Sequence, residues 1–228
     1  MKILIVAATW MEVKLLADEL EFRGEKSHNL KEYHLSDNEI DILITGMGTT
    51  LAAFHLTNAL QTDKYQLVIN LGIAGSLSPE IEIGDVVNVV TEEFADLGIE
   101  KNEDFLTLFE SGYIDNNEFP FERGLLKANN INGFSELKKV RGITTNKSHG
   151  RSASIDEIRQ KFSAHVESME GAAVFYVCNW FGIECYQIRA ISNFVEPRDS
   201  SRWNIPLALE NLTTAVYEVL AKLPVPVN

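Results

Sequence analysis

Short apolar segments alternate along this chain with segments whose apolar residues recur at helical spacing, and this alternation restricts the fold more than any other feature. Residues 2–8 form an almost continuous apolar run of strand length, the signature of a strand covered on both faces. The next segment, 11–20, carries Val13, Leu15, Leu16 and Leu20 at the spacing of one helix face. Segments 32–35 and 39–45 read as strands parted by the polar turn Ser36-Asp37-Asn38. A helix at 49–60, a buried strand at 67–71 and a Val-rich strand at 84–90 follow. Residues 91–139, with their Asp, Asn, Gly and Pro clusters, read as loops with short helices. A short strand at 140–144, a helix at 155–162 and a helix at 169–181, apolar nearly all round, come next. The chain closes with a strand at 184–192 and an amphipathic helix at 206–223 that has Pro206 in its first turn.

Strands alternating with helices predict an α/β fold, a three-layer sandwich with a mixed, largely parallel central sheet. A single domain over 1–228 is expected, long enough to bury a core without disulfide support. The 20 Lys and Arg against 33 Asp and Glu give a net charge of −13. Tracking nucleic-acid phosphates needs clustered positive charge, so no nucleic-acid partner is expected. No apolar run reaches membrane-spanning length, and the charged helix after the first strand does not fit a signal peptide. Cys178 and Cys185 form no Cys-x-x-Cys pair and read as buried thiols, which fits a cytoplasmic protein. The histidines show no His-x-x-x-His spacing, so no metal site is expected.

In parallel sheets ligands bind beyond the carboxyl ends of the strands. Here those ends carry Thr9 to Glu12, Gly46-Met47-Gly48, Gly72-Ile73-Ala74-Gly75 and Ser192-Asn193. Each piece alone also has a purely structural reading. The glycine motifs read as turns: Leu51 stands where a dinucleotide fingerprint needs its third Gly, and no Gly-Lys-Ser/Thr follows Gly72. Glu12 is either a first-turn acid favoured by the helix dipole or a general base that activates water. Glu170, followed by Gly171, Ala172 and Ala173, is either another helix-start acid or an acceptor for the two vicinal hydroxyls of a ribose. Arg189 either orients a site carboxylate or reaches solvent from a strand edge.

Together these pieces resemble the nucleoside phosphorylase and nucleosidase superfamily, and in particular the methylthioadenosine/S-adenosylhomocysteine nucleosidases. The resemblance spans most of the chain: Glu12, Gly46-x-Gly48, Asn70-Leu71-Gly72-Ile73-Ala74-Gly75, Ile83-Gly84-Asp85-Val86-Val87, Met169-Glu170-Gly171-Ala172 and Ile188-Arg189-Ala190-Ile191-Ser192-Asn193. It implies N-glycosidic cleavage of a purine nucleoside by a homo-oligomer without a cofactor. Glu12 then activates water, Met169 lies beneath the ribose, Glu170 holds its hydroxyls, Gly72 to Gly75 border the ligand and Arg189 supports the site. Phosphorylases of this superfamily carry a phosphate-binding Arg where this chain has Asn70, so water is the expected nucleophile. Adenine-specific nucleosidases carry Asp where this chain has Asn193, and an amide that donates to N7 or to a 6-oxo group favours a 6-oxopurine. An amide cannot give up a proton as an acid can, which leaves water or the tautomerism of the base to protonate the leaving group.

The following segments, Phe194-Val195-Glu196-Pro197-Arg198-Asp199 and Ser201-Arg202-Trp203-Asn204-Ile205-Pro206, are similar to those of futalosine hydrolases. Those enzymes release hypoxanthine from futalosine on a route to menaquinone. Arg198, Arg202 and Trp203 are then candidates to hold the aryl carboxylate beyond the ribose, or else ordinary loop residues. His149, in the loop 145–149, falls where the superfamily stacks the base. The alternatives are a methylthioadenosine-type nucleosidase and a purine nucleoside phosphorylase.

Overall fold

The computed structural model describes residues 1–102, 104–129 and 134–223. The elements run β1 (Lys2–Ala7), α1 (Trp10–Asp18), β2 (Glu21–Ser27), β3 (Leu30–Leu35), β4 (Asn38–Ile44), α2 (Thr49–Thr62), β5 (Leu67–Ser76) and β6 (Val86–Phe94). They continue with β7 (Gly98–Lys101), β8 (Asp104–Thr107), β9 (Leu126–Lys127), β10 (Lys138–Thr144), α3 (Ser152–Lys161), β11 (Val166–Ser168), α4 (Gly171–Phe181), β12 (Glu184–Phe194) and α5 (Ile205–Leu220).

The main sheet has the order β11-β10-β6-β12-β5-β1-β4-β3-β2, with β9 paired to β6. It is mixed, as the alternation predicts. β1 runs parallel to β4 and β5, and β12 parallel to β5, while β12 and β6 are antiparallel. β11 pairs with β5 as well as with β10, so β5, β12, β6, β10 and β11 close into a ring. That closure brings the end of β11, just before Glu170, alongside the ends of β5 and β12.

Both faces of β1 are buried. Ile3, Ile5 and Ala7 join the core beneath α1 and α5, whereas Leu4 and Val6 join the core beneath α2 and α4. The two-residue strand period writes this division directly. α4 buries Ala172, Ala173, Val174, Phe175, Val177 and Cys178, which explains the apolar sequence of its first turns, whereas Trp180 and Phe181 at its end are exposed. Pro206 lies in the first turn of α5, and the Asn204 side chain caps that helix by accepting from Leu207 N at 3.3 Å.

Several elements depart from the sequence reading. β2 is exposed along almost its whole length; it is held by its ladder to β3, so no apolar alternation marks it. The described part of 91–139 holds the end of β6, the β7–β8 hairpin, β9 and turns rather than short helices; residues 103 and 130–133 of that stretch lie outside the described ones. The Gly72 to Gly75 segment is not a turn, because β5 continues through it to Ser76. α4 begins at Gly171, with Glu170 as its N-cap residue.

Candidate active site

A cleft of about 260 Å³ opens at the carboxyl ends of β1, β5 and β12, between α1 and the start of α4. Glu12 comes from the first turn of α1 and is buried. Its Oε2 accepts from Thr9 N at 2.9 Å and lies 3.1 Å from the Thr9 hydroxyl, while Oε1 accepts from Ile73 N at 3.1 Å. Helix start and strand β5 thus fix the carboxylate in one orientation at the cleft wall.

Gly72 explains why glycine stands at this point of β5. A Cβ there would lie 2.2 Å from Arg189 Nη1 and 2.6 Å from Glu12 Oε1. The missing side chain lets the guanidinium and the carboxylate approach the strand together. Arg189 is fully buried, and its Nε and Nη2 find no partner among the described residues. It forms no ion pair among those residues, so it influences the site through its field from behind the cleft. Gly72 itself lies behind the lining, whereas Ile73, Ala74 and Gly75 form part of it.

Glu170 is buried on the opposite wall, and its Oε1 accepts from Gly48 N at 2.8 Å. Gly48 has φ +96°, a conformation that favours glycine, and it begins α2. Burial raises the Glu170 pKa above the ordinary carboxylate value, the Arg189 charge opposes that shift, and the nearby Glu12 charge adds to it. Met169 lines the same wall.

Asn193 follows a bulge in β12 after Ile191 and stands opposite Gly75. Its Oδ1 accepts from the Ser192 hydroxyl at 2.8 Å and its Nδ2 donates to Phe194 O at 2.9 Å. The acceptor is engaged, one of the two amide N–H groups is uncommitted among the described residues, and Asn193 lines the cleft. Arg198 and Trp203 form the outer rim, with the guanidinium carbon 4.8 Å from the indole centroid.

Two expected site residues lie elsewhere. His149 does not line the cleft. Its backbone N donates to Glu167 Oε1 at 3.0 Å and its ring Nδ1 lies 2.5 Å from Glu167 Oε2, so the buried ring is committed to a carboxylate and is not free to stack on a base. Arg202 points away and pairs with Glu196 at 2.8 Å; the short turn at 200–202 carries it outward. Conversely, Met11, Met47, Ser148, Glu167, Ser168 and Val195 line the cleft without having been assigned a role from sequence. Met47 sits between the two glycines at the end of β4 and Glu167 within the polar run before α4, so only their neighbours gave a signal.

Residues 2–221 match the family model described as the Phosphorylase superfamily. The chain belongs to the phosphorylase superfamily. A futalosine hydrolase from Streptomyces coelicolor is 32% identical over 181 residues, which cover 77% of this chain and 76% of that one. A 5'-methylthioadenosine/S-adenosylhomocysteine nucleosidase from Chromohalobacter salexigens is 28% identical over 202 residues, 84% of each chain. The fold is shared with the native structure of futalosine hydrolase of Helicobacter pylori strain 26695, at a TM-score of 0.82 and 18% identity over 97% of this chain and 98% of that one.

Against the superfamily pattern, Asn70 is buried within β5 and is not part of the cleft lining. Among the described residues that do line the cleft, Arg198 on the rim is the one cation. The inner cleft therefore offers carboxylates and an amide but no cationic phosphate clamp.

Behind Glu170 lies a further buried carboxyl, Glu92, outside the cleft lining. Glu92 Oε1 accepts from Gln187 Nε2 at 2.7 Å and Oε2 from the Thr144 hydroxyl at 2.9 Å. Gly142 and Gly171 make the room, since a Cβ at either would come within 2.4 Å of Oε1. Burial pushes its pKa up to about 7 from 4.5, against the two hydrogen bonds and the Arg189 charge. The folded state therefore binds the extra proton between these values, so stability falls as pH rises from about 4.5 to about 7 and levels off above. The separation corresponds to about 3 kcal/mol for this group. Thermal denaturation between pH 5 and 8 should show a declining Tm, and Glu92→Gln should reduce that decline. An identical pH slope in the variant would contradict this assignment.

Proposed function

We propose that this chain hydrolyses the N-glycosidic bond of futalosine, releasing hypoxanthine and dehypoxanthine futalosine in menaquinone biosynthesis. One juxtaposition carries the reading: two buried carboxylates, Glu12 and Glu170, share a cleft with an amide at Asn193. The futalosine hydrolase relative, at 32% identity, supports the same substrate.

In this reading Glu12, held by Thr9 and Ile73, removes a proton from the attacking water. The glycosidic bond breaks toward an oxocarbenium-like ribosyl cation. The Glu170 oxygen not taken by Gly48 accepts from the ribose hydroxyls, an interaction that strengthens as the ring gains positive charge. The free N–H of Asn193 donates to N7 or O6 of the departing hypoxanthine, and water or the tautomerism of the base supplies its proton. Arg198 and Trp203, at the rim, take the aryl carboxylate at the far end of the substrate.

A homo-oligomer belongs to the same proposal. Met47, at the cleft, and Leu51 and Phe54, three residues apart on one face of α2, are exposed at 63%, 46% and 66%, apolar surface that a partner copy would cover. A cytoplasmic location fits the buried free thiols of Cys178 and Cys185; no described helix is long and apolar enough to cross a membrane. The second reading, a methylthioadenosine-type nucleosidase, draws on the 28% identical relative, and Asn193 weighs against it.

The hydrolase reading is tested by incubation with futalosine in phosphate-free and phosphate-containing buffer. Equal rates of hypoxanthine release and a sugar fragment with a free 1-hydroxyl are expected. A phosphate requirement with a 1-phosphorylated product would overturn it in favour of a phosphorylase.

A further inference from the structure

The strand registers place an unassigned carboxylate in line with Asn193. Glu167 stands opposite Gly75 across the β11–β5 pair, and Asn193 stands opposite Gly75 across the β5–β12 pair. Directly opposed residues on neighbouring strands project to the same face. Glu167 and Asn193 therefore flank a residue that has no side chain, two strand spacings or roughly 10 Å apart. That gap suits a flat purine with one hydrogen bond of roughly 3 Å at either edge. The glycine is required here as well, since a Cβ on Gly75 would come 2.7 Å from Val195 Cγ2 and 3.3 Å from Asn193 Nδ2.

Both flanking residues line the cleft, and Glu167 is only 6% exposed. His149 fixes the carboxylate through its backbone N on Oε1 and its ring Nδ1 beside Oε2. A carboxylate offers about four acceptor positions, so this clamp leaves acceptor capacity on a side chain that lines the cleft.

We propose that Glu167 reads the base: it accepts the N1–H of a 6-oxopurine while Asn193 donates to the N7/O6 edge. A 6-aminopurine has a bare N1, which would put its lone pair against the Glu167 oxygens and leave a buried acceptor unpaired. The two side chains then select hypoxanthine from opposite edges. His149 is a positioning residue that holds Glu167 in the row. This inference rests on the 6-oxopurine reading and extends it to a second residue.

The test compares kcat/KM for futalosine and its 6-amino analogue in the unmodified enzyme and in Glu167→Gln. The amide keeps the volume and one acceptor but adds a donor that suits a bare N1. We expect the preference for futalosine to fall at least 10-fold, mostly through loss on futalosine. A second measurement needs no variant: hypoxanthine and 1-methylhypoxanthine as product inhibitors, with the methylated base, which lacks N1–H, inhibiting at least 10-fold more weakly. A proportional loss on both nucleosides in Glu167→Gln, or equal inhibition by the two bases, would overturn the role of Glu167 while leaving futalosine hydrolysis intact. Failure of the unmodified enzyme to act on futalosine would overturn both.

Discussion

Glu12→Gln should lower kcat for base release by roughly 10²–10⁴-fold, the usual share of general-base catalysis. The substitution preserves volume but removes the group that takes the water proton. It also disturbs the anchoring, because both Glu12 oxygens now accept from backbone N–H groups, of Thr9 and of Ile73. A glutamine has one carbonyl oxygen and must turn its NH₂ toward one of those donors. The variant should therefore lose roughly 1 kcal/mol of helix-start stability, far too little to unfold a domain whose core spans both faces of β1. Measuring kcat beside the denaturation midpoint separates the two effects. A folded Glu12→Gln enzyme with near-normal turnover would assign water activation elsewhere.

Asn193→Asp should reverse the chemistry at the other end of the bond. The present amide donates from Nδ2 to Phe194 O and accepts at Oδ1 from the Ser192 hydroxyl. In an ionised Asp the oxygen that replaces Nδ2 would oppose both the Phe194 carbonyl and the 6-oxo group of hypoxanthine, two acceptor–acceptor contacts in a partly buried setting, while the other still accepts from Ser192. Activity on futalosine should fall by roughly 10²-fold or more, as expected when a polar edge is mispaired. The 6-amino analogue should gain, because the carboxylate accepts from the amino group and, when protonated, can act as an acid. Glu167 still faces N1, so the gain should be smaller than the loss. An unchanged ratio of kcat/KM for the two nucleosides would show that Asn193 does not read the base.

What the sequence made legible follows from where the determining contacts lie. β1 could be read because burial on both faces leaves an unbroken apolar run, and α4 because it is enclosed by the sheet and α2. β2 could not, since most of its side chains meet water and what holds it, the ladder to β3 and the Lys26–Asp41 ion pair, leaves no apolar alternation. Gly72 to Gly75 looked like a turn because the reason for glycine is tertiary: Arg189, Glu12, Val195 and Asn193 reach into the Cβ space from other segments. Glu12, Glu170 and Asn193 were legible as a superfamily pattern, and the cleft brings them together. His149 was misplaced because its partner, Glu167, lies 18 residues away on β11, a short strand that local periodicity does not reveal. Arg198 and Arg202 were equivalent as sequence; the Trp203 ring and the Glu196 carboxylate separate them.

The carboxylates and the amide of this cleft should favour hydrolysis of a 6-oxopurine nucleoside over a 6-aminopurine one. The most direct measurement of this preference is the ratio of kcat/KM for futalosine and methylthioadenosine in the unmodified enzyme, with the released base identified by chromatography. A ratio well above one is expected, with hypoxanthine as the base released from futalosine. A ratio below one, with adenine released from methylthioadenosine as the preferred reaction, would contradict it.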